Sequence, residues 1–402
     1  MFIAMNEKGE RMNALHYSKE WLYEVKHSDS FYCPVCQGEV LLKIGEKMKP
    51  HFAHRKNQCP LQLERESPYH LHGKELLYNW LLSQGKSVEL EPYIRSIQQR
   101  PDLLLTSGQT KVALEYQCSV IPAEQFIKRT KSYWNEGIRV LWILGGNQFK
   151  RTGVQWLRTS SFHTLFIQQV TPPSLLYFCP SSKAFFRCSP VIPFSSYHSY
   201  SHIQYLPLHT TRFSSIFIQS NIQLTQLKHE WNKKKRRWRE NGLYSLFRSH
   251  SEFFLFLYER GIPPSLFPSE VAIPLPSLIG IHTPALFWQS FMLLEEIDRL
   301  QVGESFSIRK MYERLRARRR WKPRLLPYFP PTFPKLAFFE YASYLQEAGF
   351  LTQLAPEVFQ KRSDVILPKT GEEALRRDEI AMKHALSLFA KHTLTSSKGK
   401  RI

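Results

Sequence analysis

Between positions 68 and 144 the apolar residues change their spacing at regular intervals. Over Pro68–Ser83, Leu71, Leu77, Leu81 and Leu82 fall on or near one helical face. Ser87–Ile94 predicts a strand. Asp102–Thr106 and Lys111–Gln117 predict a hairpin around Ser107-Gly108-Gln109. Pro122–Glu136 predicts a second helix, with proline suited to its first turn, and Gly137 stops it. The run Ile138–Leu144 predicts a buried strand closed by Gly145-Gly146. Helix, three strands, helix, strand is the order of an α/β domain.

The flanking regions are patterned differently. Residues 1–65 predict short strands, a turn at Asn6–Gly9 and a Cys/His cluster; 66–150 hold the α/β domain. Residues 151–220, rich in serine, proline and aromatics, predict an irregular, β-rich connection. From 221 to 402 a basic, mainly helical region is expected. It contains Leu227–Asn241, a proline-rich linker, an amphipathic helix over Ala285–Leu300 and the basic run Arg316–Arg324. Leu336–Ala348, Gly349 and the following FLTQL predict a helix, a stop and a strand, as a winged-helix-like unit would use. The tail SSKGKRI predicts disorder. The fold class expected is therefore α/β within a multidomain α+β chain.

Charge adds a partner. The 402 residues carry 55 Lys and Arg against 34 Asp and Glu, a net charge of +21, which favours a polyanion. The opening MFIAMNEKGER becomes charged too soon for a signal peptide, and no apolar run is long enough to span a membrane. A cytoplasmic location follows. In a reducing compartment, closely spaced cysteines point to metal before disulfide.

The spacing Cys33-x2-Cys36, a hairpin-like stretch, then His51, His54 and Cys59 suits zinc. Two thiolates on a tight knuckle grip one ion, and a second pair from a facing hairpin completes a tetrahedron. His54 and Cys59 are the most economical second pair, with His51 as the alternative to His54. Four protein ligands leave no open position, so the zinc would be structural.

The hairpin raises a question of charge. A two-residue turn at Gly108-Gln109 sets Asp102 opposite Glu115, with Cβ atoms roughly 5 Å apart; a three-residue loop would shift the register by one. Gln117 shares a face with Glu115, while Val112, Leu114 and Tyr116 point the other way. Opposed like charges are destabilising, and a hard divalent cation between them would remove the penalty. On the next helix Gln125, Arg129 and Tyr133 form one stripe.

This arrangement resembles the PD-(D/E)xK nuclease superfamily. The resemblance implies Mg²⁺ or Mn²⁺ held by Asp102 and Glu115, with Gln117 standing where the motif usually has lysine. A neutral amide can hold a water but supplies no positive charge, so Arg129 or Lys74 would substitute, with His70 one turn before Lys74. Taken with CPVC, HFAHRKNQC, PYHLHGKELL, RPDLLL and ALEYQCS, the chain resembles the CoiA family of bacterial competence proteins. That implies a zinc-ribbon-like N-terminal module, a nuclease-like central domain and a role in natural transformation. There single-stranded DNA is handled before recombination, with recombination or DNA-uptake proteins as partners.

A second basic element is a candidate DNA surface. Lys233, Lys234, Lys235, Arg236, Arg237 and Trp238, with Trp231 seven residues before Trp238, combine cations with stacking surface. The expected function is DNA processing in transformation, by metal-dependent phosphodiester hydrolysis. The alternatives are a non-catalytic DNA-binding adaptor on a degenerate nuclease fold, and a repair or restriction-type endonuclease.

Overall fold

The structure, a computed structural model, describes residues 1–46, 48–54, 66–168, 172–218, 222–242 and 251–396. The expected ligand Cys59 and the expected disorder at 397–402 lie outside the described residues. The chain forms two compact units. The first takes the described residues of Met1–Phe149, Leu176–Arg187 and Gln204–Ile218; the second takes the described residues of Lys150–Leu175, Cys188–Ile203 and those from Ile222 on.

The first unit opens with a five-stranded sheet. Its strands are β1 (Ile3–Asn6), β2 (Arg11–Asn13), β3 (Phe31–Tyr32), β4 (Glu39–Lys43) and β5 (His51–His54), in the order β2-β1-β3-β4-β5. Helix α1 (Lys19–Ser28) lies between β2 and β3 in sequence, and the Ser18 hydroxyl caps it by accepting the Trp21 N–H at 3.3 Å. Along β4 the side chains alternate, so Val40 and Leu42 join Met12, Leu22, Phe31 and Phe52 in a small core.

The second sheet of this unit holds the predicted α/β order. Helix α2 (Pro68–Leu82) precedes β6 (Ser87–Leu90), β7 (Leu103–Ser107) and β8 (Thr110–Gln117); helix α3 (Ala123–Asn135) leads to β9 (Arg139–Gly145). The turn joining β7 and β8 has two residues, since Ser107 pairs with Thr110 and Leu103 with Leu114. Gly108 takes φ +56, as the first residue of a primed turn must. Strand β9 runs parallel to β8. Strand β6 ends four residues before the predicted Ile94, because Glu91 turns out of the ladder at φ +48 and accepts the Phe2 and Ile3 N–H groups at 2.9 and 3.1 Å.

Part of the supposed connection belongs to this sheet. Leu175–Cys179, Ala184–Cys188 and Ile203–Pro207 extend it to seven strands beyond β9. Their apolar residues Leu176, Phe178 and Phe185 pack with Leu77, Leu81, Leu114 and Ile143. Gly73 is required where α2 meets the sheet: a Cβ there would stand 2.2 Å from the Tyr116 ring.

The second unit combines helices with two small sheets, so it is less uniformly helical than the composition suggests. The segment Ala285–Ser290 continues into a π-helical stretch, Phe291–Ile297, and every residue from Ala285 to Ile297 is buried. The expected amphipathic helix is thus a central core element; its polar positions Gln289, Glu295 and Glu296 face inward to partners rather than to water. Next come strand Ser305–Ser307, helices Ile308–Ala317 and Phe333–Glu347, and the hairpin Leu351–Ala355/Val358–Lys361. The first strand pairs with the last, so the sheet order is 1-3-2. This is the topology of a winged helix-turn-helix unit, with a long segment, 318–332, in place of a tight turn between its helices. Among the described residues, no helix is long and apolar enough to cross a membrane.

Candidate functional site

The N-terminal sheet brings together one metal-ready group. Cys33 and Cys36 lie in the turn between β3 and β4, which closes through Cys33 N–H to Gly38 O and Gln37 N–H to Cys33 O, both 2.9 Å. Gln37 takes φ +58 to make the turn, and the Val35 N–H donates to Cys33 Sγ at 3.4 Å, orienting that sulfur. The pairing of Val40 with His54 delivers the imidazole beside the turn, its Nε2 3.2 Å from Cys36 Sγ. The ligand atoms of Cys33, Cys36 and His54 all lie within 4.8 Å of one another. Burial, with Arg100 adding to it, pushes His54 below its usual pKa and favours the neutral ring that metals bind. His51 does not join: its Nδ1 is 3.0 Å from Lys49 O. Two soft thiolates and an imidazole fit zinc, and they are the only His, Cys, Asp and Glu residues to converge as three or more among the described residues.

The hairpin carboxylates are held differently. The β7–β8 register continues to Asp102 opposite Glu115, yet each side chain engages a different helix. Asp102 Oδ1 is 3.2 Å from His70 Nε2 and 3.4 Å from Lys74 Nζ, both on α2, and Oδ2 accepts the Tyr116 N–H at 2.9 Å. Glu115 accepts from Arg129 Nη2 at 2.7 Å on each oxygen and from the Tyr133 hydroxyl at 2.6 Å, both from α3. The like charges are thus offset by protein cations, and every carboxylate oxygen already has a donor. These residues do not fit Mg²⁺ as they stand, because an ion would have to displace Arg129 on one side and His70 with Lys74 on the other.

The electrostatics follow from burial and pairing. Burial works against the Asp102 charge, but His70 and Lys74 outweigh it and hold the carboxyl well below its usual range. Burial disfavours His70 as a cation, and the facing Asp102 nonetheless raises it. Burial raises the Glu115 carboxyl; Arg129 opposes and Asp102 reinforces the rise. Lys74 is completely buried and also pairs with Glu66 at 2.8 Å and with Glu91. Gln117 is buried, its amide donating to the backbone and hydroxyl oxygens of Ser119 at 3.0 Å each. His70 and Lys74 were legible from their one-turn spacing, and Arg129 with Tyr133 from the stripe on α3. Glu66, Glu91 and Arg100 left no sequence signal, because each joins the network from a position outside the helices and strands of the fold.

In the second unit the basic stretch falls on helix Leu224–Arg237 and its π-helical continuation. Trp231 is core and donates to Ala272 O at 2.7 Å; Trp238 packs on Phe194 at 4.1 Å. Lys235 is buried on Ser269 O, Val271 O and Asp378. Lys234 lies 3.9 Å over the Trp156 ring, and burial lowers its pKa to about 8. Of the expected DNA-contacting residues, Lys233, Arg236 and Arg237 are exposed, with Arg236 paired to Glu240. The predicted aromatic stacking surface is therefore turned into the core by the helical period.

The central domain is of the nuclease-like class: residues 66–221 match a family profile described as competence protein CoiA, nuclease-like domain. Residues 14–62 and 227–375 match the profiles for the CoiA N-terminal and C-terminal domains. The chain is 38% identical over 270 residues to competence protein CoiA of Bacillus subtilis (strain 168), an alignment spanning 67% of this chain and 72% of that relative. It belongs to the CoiA family of competence proteins, and its role lies in competence. No solved structure matches it.

Proposed function

We propose that this protein handles incoming DNA during transformation as a DNA-binding adaptor whose nuclease-like domain is a scaffold. One observation carries this reading: Asp102 and Glu115 have every oxygen engaged by protein donors. The buried Gln117 adds no positive charge where a hydrolase of this class would need one. The net charge of +21 supports a polyanionic partner. Cys33, Cys36 and His54 hold a structural zinc that ties the N-terminal turn to β5, and Cys59 is the fourth ligand proposed. The protein works in the cytoplasm on single-stranded DNA, alongside recombination or uptake proteins.

A Mg²⁺-dependent hydrolase is the second reading, favoured by the hairpin register that sets Asp102 opposite Glu115. Labelled single-stranded DNA incubated with Mg²⁺ or Mn²⁺ separates the two. The adaptor reading expects wild type and Asp102→Asn to bind alike and neither to cut. Cation-dependent cutting by wild type that Asp102→Asn abolishes would establish the hydrolase instead.

A further inference from the structure

The run from Arg314 to Arg324 contains seven cations, and the structure sorts them into two sets. Arg314, Arg318 and Arg320 pair with the buried carboxylates of Glu295 and Glu296 on the π-helical segment, at 3.0 Å for Arg318–Glu296 and 2.9 Å for Arg320–Glu295. They neutralise those two carboxylates. Arg316, Arg319, Lys322 and Arg324 form no ion pair with any described carboxylate, and the first three are exposed.

The segment carrying this second set is anchored. Lys322 accepts from His282 N–H at 2.8 Å and donates its own N–H to Thr283 Oγ1 at 3.0 Å; Pro323 bridges Ile281, and Arg324 N–H reaches Gly280 O at 2.9 Å. Arg319 takes φ +58 as the residue that ends helix Ile308–Ala317: its N–H reaches Arg316 O and the Arg320 N–H reaches Leu315 O, both at 2.9 Å, which fixes the backbone of the segment. Arg316 lies over the Trp321 ring at 6.0 Å.

Arg324 is the second, independent observation. It is 6% exposed, yet among the described residues its guanidinium donates only from Nη2, to Ile281 O at 3.3 Å, while Nε and Nη1 are buried with no acceptor there. Burial alone, with no opposing carboxylate, lowers its pKa to about 10. A buried charge without a counter-ion is costly, and in a folded chain it points to an anion from outside.

The structure assigns the segment between helices Ile308–Ala317 and Phe333–Glu347 as a nucleic-acid phosphate-binding element, with Arg316, Arg319 and Lys322 along the backbone and Arg324 closing on one phosphate. Cations three residues apart suit the repeated charges of a phosphodiester chain better than one small anion. Most of helix Phe333–Glu347 is buried, so the contact is to backbone rather than to base edges. The assignment rests on the DNA-handling reading and names its surface, which differs from the Lys233–Arg237 stretch expected from sequence.

The test is fluorescence anisotropy of the full chain with labelled single-stranded DNA, duplex DNA and RNA over a salt series, which also ranks those sources of phosphate. The triple variant Arg316→Gln, Arg319→Gln, Lys322→Gln should lower the salt slope by about 2 to 3. Arg324→Met should weaken binding about tenfold, as loss of one charged hydrogen-bonding group does, with no loss of thermal stability. The matched triple Lys233→Gln, Arg236→Gln, Arg237→Gln should change the slope less. An unchanged slope in the first triple, in a wild type that binds, overturns this assignment and leaves the adaptor reading standing. Equal effects of both triples overturn it too, since binding would then follow net charge. A wild type that binds no nucleic acid overturns both readings, as does binding confined to anionic phosphatidylserine vesicles.

Discussion

The Cys33–Cys36–His54 group and the Asp102/Glu115 pair lie in the same unit, and both invite a metal by residue type. They differ in what else is within reach. Around Cys33 Sγ a backbone N–H donates at 3.4 Å, and the three ligand atoms converge on common space. Around the carboxylates, α2 and α3 bring His70, Lys74 and Arg129, so the charge is neutralised before any ion arrives. The first group keeps its ligand atoms turned to one another, with Arg100 felt only through its charge, whereas the second is ion-paired to cations directly.

The largest effect expected is on the thiols. Cys33→Ser should abolish zinc binding and unfold the N-terminal sheet, since structural zinc contributes apparent free energies of about 10–16 kcal/mol in small modules. Elemental analysis with a thermal melt reads both; a folded, zinc-free wild type would break the comparison from this side.

Next comes the ion pair between Arg129 and Glu115. Arg129→Met leaves Glu115 buried and uncompensated, at a cost of about 3–5 kcal/mol in denaturant unfolding. Adding Glu115→Gln should recover much of it. If Arg129→Met instead leaves stability intact and Mg²⁺ then binds by calorimetry, the pair is a metal site that arginine merely covers.

The pH dependence is smaller and has two opposite limbs. His70 is raised in the folded state, so its contribution is complete below the ordinary histidine range and is lost as pH rises through the folded value. Asp102 is depressed, so its contribution is complete above the ordinary aspartate range and is lost as pH falls through the folded value. Melting temperature against pH should show the alkaline limb flattened in His70→Gln. An unaltered limb would mean that His70 and Asp102 are not coupled.

The smallest effect expected is from Gln117→Lys. With Asp102 and Glu115 already occupied, the new amine should confer no cutting of labelled DNA with Mn²⁺. Appearance of cutting would show that the two sites differ by one residue rather than by their surroundings.

Much of the central domain was legible, because local rules decide it. The period of α2 and α3 and the alternation of β7 and β8 located the elements, and of the two registers the turn left open the structure takes the one with a two-residue loop. The Cys-x2-Cys knuckle was equally local, since both thiols sit on one turn. That the region beyond β9 is rich in strands was legible, but not where the three strands fall or that they join the central sheet: serines, prolines and aromatics carry no clear period there, and pairing with a sheet already formed sets their bounds.

By itself the sequence determined which residues share a face, where the turn falls and that the chain carries a large positive charge. Tertiary structure decided which of those charges are available. Lys235, expected on a DNA surface, and Lys74, expected to supply charge in a cleft, are buried on carbonyl oxygens and carboxylates, whereas Arg319 and Lys322 meet no carboxylate among the described residues. Spacing sets the direction of a side chain along its own element. Whether that direction ends in water, on a counter-charge or in a core depends on residues brought close only by folding, such as Glu91 beside Lys74 and Asp378 beside Lys235.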